Sequence, residues 1–125
     1  MLYAILCYNS EEIVESWNTE ENDAVMARLD VVNQKLIKQG RLGPTARLMP
    51  TTTAMTVRKG KVPLVTDGPF VETKEQLLGF YVVECEGMDD AVEIAKELSI
   101  ANAGTGGYEI RPLLMHLPLG FPASR

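Results

Sequence analysis

The sequence contains one histidine, one tryptophan and two cysteines in 125 residues. The lone histidine, His116, sits near the C-terminus and makes no catalytic triad. Cys7 and Cys85 have no CxxC spacing, and neither has a basic neighbour in sequence to lower its pKa. They read as buried apolar thiols in a reducing compartment. Basic residues are also scarce: 12 against 17 acidic ones, for a formal net charge of −5. Nucleic-acid binding needs a basic stripe, so no nucleic-acid partner is expected. No apolar run approaches the ~20 residues that span a bilayer. The opening run Leu2–Cys7 is apolar but lacks the basic lead of a signal peptide, and soon meets Glu11 and Glu12. A cytoplasmic protein with no membrane partner is expected.

What remains is an ordinary globular composition, 46% apolar and 23% charged, at the length of one domain. Residues 2–8 read as a first strand. From Thr19, acidic residues at Glu20, Glu21 and Asp23 suit a helix N-terminus. Val25, Met26, Leu29, Val32, Leu36 and Ile37 then recur with helical period, interrupted by Asn33, and Gly40 marks the stop. Short strands are expected near 45–49, 53–58 and 61–66, with Lys59-Gly60 as a hairpin turn and Pro63 marking an edge. Thr73 and Gln76 fit the capping box of a one-turn helix. Residues 79–85 read as a strand, Asp89 as the cap of a helix burying Ala91, Ile94, Ala95 and Leu98, and 108–115 as the closing strand.

This order, β-α-β-β-(β)-β-α-β, is α+β: the split βαβ of a ferredoxin-like sandwich with an inserted β-hairpin. Two helices cover only one face of such a sheet. The strands at 2–8 and 79–85 are nevertheless apolar on both faces, so the second face needs a cover. A second copy of the chain is the simplest one, and a homodimer packed sheet to sheet is expected.

The run Asp67-Gly68-Pro69-Phe70, continued as Val-Glu-Thr-Lys-Glu-Gln-Leu-Leu-Gly-Phe-Tyr81, resembles the signature of the DGPF, or YCII-related, family of small bacterial proteins. Tyr3-Ala-Ile-Leu, Gly40-Arg-Leu-Gly-Pro44, Asp89-Asp-Ala and Tyr108-Glu-Ile-Arg-Pro112 are similar to it as well. The resemblance runs through residues 1–113; the domain is taken as 1–115, followed by a C-terminal tail at 116–125. It implies a dimeric α/β barrel. Some relatives are thought to use a His–Asp pair in acid–base chemistry, and others accompany alternative sigma factors. Only the aspartate carries over, as Asp67, because residues 20–39 contain no histidine and Leu29 and Val32 occupy its stripe.

These residues suggest a small-molecule-binding or accessory domain without a cofactor, its pocket near the Asp67 turn. Arg47, Gly68, Pro69, Phe70, Glu72 and Lys74 are the candidate ligand contacts, and Arg47 suits a ligand carboxylate. One alternative is a cofactor-free enzyme with Asp67 as general acid or base. A second, from the family resemblance, is a regulatory partner of a sigma factor. Plainer roles compete at several positions: an Asx turn for Asp67, a helix cap for Thr73, and a core anchor for Phe70. The acidic run Glu84, Glu86, Asp89 and Asp90 fits no EF-hand spacing, so no metal site is expected.

Overall fold

A computed structural model describes residues 1–117. The expected tail at 116–125 therefore lies almost wholly outside the described residues. The elements run β1 (Leu2–Asn9), α1 (Glu11–Glu15), α2 (Thr19–Lys38), β2 (Leu42–Arg47), β3 (Met55–Arg58), β4 (Leu64–Asp67), β5 (Gln76–Glu84), α3 (Met88–Ala101) and β6 (Gly107–Pro112). β2, β5, β1 and β6 form one antiparallel sheet in that order, while β3 and β4 form a separate two-stranded hairpin. The protein is α+β with the ferredoxin-like arrangement, and the hairpin is the insertion between its halves. No helix among the described residues is long and apolar enough to cross a membrane.

Sheet register decides which side chains meet the helices. Leu42, Val83, Tyr3 and Pro112 form one row across the four strands, and Thr45, Tyr81, Ile5 and Ile110 form the next. These rows face α2 and α3, where Val25, Leu29, Val32 and Leu36 meet Ala91, Ile94, Ala95 and Leu98 in the core. Ile5, Leu36, Val83 and Leu98 are fully buried, each stabilising the fold by roughly 1.5–3 kcal/mol. The opposite face carries Leu2, Ala4, Leu6, Phe80 and Val82, all half-buried within one chain. Of the two alternating sets on β5, Tyr81 and Val83 therefore lie under the helices, and Phe80 and Val82 form the open side.

Helix ends differ from the expected ones in informative ways. The α2 cap is Asn18, whose side chain accepts from the Glu21 backbone while Glu21 reaches back to the Asn18 N–H. Ser10 caps the additional one-turn helix α1, its hydroxyl accepting from Ile13 N at 3.3 Å. Asp89 does not cap α3; the N-cap is Gly87 without a side-chain bond. Asp90 instead accepts from Glu86 N at 3.1 Å and pairs with Arg41 at 2.6 Å. These bonds, the backbone one foremost, hold the Asp90 carboxyl below its ordinary pKa.

The expected helix at Thr73 is absent, and with it the capping role. Gln76 opens β5, donating its amide to the Thr73 carbonyl at 2.6 Å and accepting from Glu11 N at 2.9 Å. A tertiary contact thus takes the group a capping box would use. β2 also begins earlier than expected, at Leu42, because a bulge between Leu42 and Thr45 absorbs Gly43-Pro44 at the sheet edge. β4 starts at Leu64 rather than 61, and β6 stops at Pro112 rather than 115.

Candidate functional site

One further row crosses the helix-facing side of the sheet: Arg47 opposite Gly79, Gly79 opposite Cys7, and Cys7 opposite Tyr108. Gly79 is the gap in that row. A Cβ there would collide with the Ala46 carbonyl, so β2 and β5 can approach only because residue 79 has no side chain. Gly79 also borders a space above the sheet. Between it and α2 lies a cavity of about 380 Å3, within the range of small-molecule sites.

Three groups of residues enclose this cavity. α2 contributes a stripe at i, i+3, i+4 and i+7: Met26, Leu29, Asp30 and Asn33. Val14 and Trp17, on and after α1, close one side, and Asn102 at the end of α3 closes another. Cys7, Tyr81 and Tyr108 rise from the sheet, with Arg47 at the edge strand. Burial raises the pKa of Cys7, Tyr81 and Tyr108 above their ordinary values, so all three are neutral at pH 7. For Cys7, the effects of Tyr108 and Arg47 oppose that rise without cancelling it.

Two residues of this wall carry polar atoms closed off from solvent. The side-chain oxygens of Asn33 and Asn102 are buried and have no hydrogen-bond partner. The Asn102 amide donates to the Tyr108 hydroxyl at 3.2 Å, which leaves its oxygen free. An unpartnered buried acceptor costs about 1–3 kcal/mol. Both oxygens have almost no accessible surface, so that cost is borne by the packing around them.

The residues expected to form the site are dispersed within the chain. Arg47 lines the cavity; Asp67, Gly68, Pro69, Phe70, Glu72 and Lys74 do not. Asp67 ends β4, is exposed, and makes no ion pair or side-chain hydrogen bond among the described residues. Bonds to the Gly68 backbone hold its turn instead of an Asx bond: Gly68 N donates to Ala54 O at 2.8 Å, and the Thr56 hydroxyl donates to Gly68 O at 2.8 Å. Gly68 has φ 91°, a left-handed value that disfavours a side chain. Phe70 is not a core anchor. It is 64% exposed and lies under the Arg58 guanidinium, 4.9 Å from ring centre to Cζ. Glu72 is exposed, and Lys74 borders a separate open groove beside α1.

Both cysteines are free, Cys85 buried and Cys7 half-buried in the cavity wall. Among the described residues no three His, Cys, Asp or Glu side chains gather as a metal site would require. Within the acidic run, Glu84 pairs with the N-terminal ammonium at 2.9 Å and Asp90 with Arg41.

Fold and cavity together define a ferredoxin-like α+β domain with one helix-covered sheet face, one open face, and a small-molecule-sized space under α2. Residues 1–115 match the YCII-related domain, and the chain belongs to that family. It is also 50% identical over 124 residues to an uncharacterised protein of Rhizobium meliloti (strain 1021), covering 98% of this chain and 100% of that protein.

Proposed function

We propose that the protein is a cytoplasmic, homodimeric module that binds a small molecule in the cavity between α2 and the sheet. The observation carrying this reading is the cavity itself, walled mainly by Trp17, Met26, Leu29, Tyr81 and Tyr108, with Asp30 and Arg47 as its charged residues. Arg47 is the cation of the site. The reading gives no role to Asp67, which stands on the hairpin away from the cavity wall, and none to a sigma-factor partner. The homodimer uses the opposite sheet face and leaves the cavity to each copy.

A fragment library screened by ligand-observed NMR tests the reading, with Met26→Trp as the cavity-filling control. Met26 lines the cavity and is only partly buried, so the larger ring occupies the space while the core clusters remain. Hits on the native chain that disappear with Met26→Trp support the reading. An unchanged set of hits, or none on the native chain, overturns it.

A further inference from the structure

Building on the cavity as a binding site, we propose that its ligand is a small aromatic monocarboxylic acid, its ring under α2 and its carboxylate at the β2 edge. Three side chains with N–H or O–H donors come from one corner of the sheet. Thr45 stands opposite Tyr81, and Arg47 stands opposite Gly79, two residues along on each strand. Residues two apart on a strand share a face, so Thr45, Arg47 and Tyr81 all rise on the helix side. Diagonal cross-strand neighbours are within reach of one another when the side chains are long or aromatic. All three border the cavity.

The position of the Arg47 guanidinium is marked twice. Its Nη1 lies 3.6 Å from the sulfur of Met26, itself in the cavity wall. Burial raises the pKa of the Cys7 thiol, and the positive charge of Arg47 pulls against that rise from the same row. Arg47 forms no ion pair among the described residues, and the Tyr81 hydroxyl makes no hydrogen bond there. A planar guanidinium suits a carboxylate held through two parallel N–H groups, with hydroxyl donors on its remaining lone pairs. Asp30, the other charged residue of the wall, belongs to the exposed side of α2. It accepts from Gln34 at 3.3 Å and also borders an outer groove with Lys35 and Lys38. One cation with a carboxylate on the same rim makes a dianion such as a phosphate ester the poorer occupant.

Away from that corner the wall is Trp17, Met26, Leu29 and Tyr108, with the Cys7 thiol held protonated by burial. Aromatic rings meet a further ring favourably, offset or edge to face, and the sulfur of Met26 suits a ring edge. A flat ring also has fewer rotatable bonds to freeze than a chain of equal area. The volume of about 380 Å3 holds one ring and a short arm.

The chain's one tryptophan lines the cavity, so its fluorescence reads occupancy there. Hydrocinnamate, benzoate and hexanoate are each titrated against the full chain beside their own amides, with phenyl phosphate as the dianion. At least one aromatic acid is expected to bind about tenfold more tightly than its amide, and more tightly than hexanoate or phenyl phosphate. Arg47→Met removes that advantage and leaves the affinity of the amide unchanged; Arg47 is exposed, so the substitution spares the core. Tyr81→Phe removes part of the advantage. If no aromatic acid exceeds its amide, if either variant leaves the advantage intact, or if hexanoate or phenyl phosphate binds most tightly, the assignment is wrong. Fragment hits lost with Met26→Trp would in that case still uphold the cavity as a binding site. Absence of such hits would remove the site itself.

Discussion

Residue 79 shows how little chemistry is needed to make a site. Without a side chain at that position β2 can close onto β5, and the row Arg47–Gly79–Cys7–Tyr108 then borders the cavity. The groups around it are held neutral by burial, which makes their titration a stability measurement. The pKa values of Cys7 and Tyr108 are raised above their ordinary 9.0 and 10.0. The folded chain therefore keeps protons that the unfolded chain has released, and the stability these groups contribute is complete below pH 9. It declines as pH rises past 9 and 10 toward the raised values. Thermal melts from pH 7 to 11 are expected to fall on the alkaline side, with a shallower fall in Tyr108→Phe. An identical alkaline limb in that variant would contradict the burial assigned to Tyr108. Of the residues involved, Arg47 was legible in the sequence as a candidate ligand contact, and Asn33 as the polar break in an apolar helical stripe. Gly79, Tyr108 and Asn102 gave no such mark, because the row joining them is set by strand pairing among distant segments.

At the scale of elements, periodicity served well where an element is long enough to repeat. α2 and α3 were readable from helical spacing and the strands β1, β5 and β6 from their apolar runs, apart from their ends. Short elements escaped. One turn at Glu11–Glu15 has no period to detect, and Thr73–Gln76 carries a capping motif whose glutamine is engaged elsewhere. The DGPF turn drew attention through its motif, but a motif does not say which surface it joins. The cap of α2 matters beyond helix content, since Asn18 adjoins Trp17 in the cavity wall. Asn18→Ala is expected to lower stability by about 1 kcal/mol in urea unfolding. It should also shift the Trp17 emission toward that of a more exposed indole, as the first turn frays. Unchanged emission together with unchanged stability would show that the capping box has no part in holding that wall.

For the whole molecule, the open sheet face is the unsolved surface. Leu2, Ala4, Leu6, Phe80 and Val82 lie side by side there, and contiguous apolar patches are uncommon on monomers. The hairpin adds exposed Met55, Val57, Leu64 and Val65, and a lone hairpin is marginal in water. A standard interface covers about 800 Å2 on each partner, enough to include the central strands of this face. Val82→Asp is expected to convert a dimer into a monomer at micromolar concentration in sedimentation velocity. Its effect on the core should be small, because Val82 faces away from α2 and α3. A native chain that sediments at the monomer mass would end the dimer proposal.

The alternation along β5 has one more consequence. Its neighbours Phe80, Tyr81, Val82 and Val83 serve opposite surfaces in turn, so the strand is a two-sided tape read in single-residue steps. Substitution alters one surface at a time. Deleting one residue between Gly79 and Val83 would turn part of the tape over, sending the aromatic wall of the cavity outward and bringing the outer patch in. The gene can therefore change letters in β5 far more freely than it can change their number.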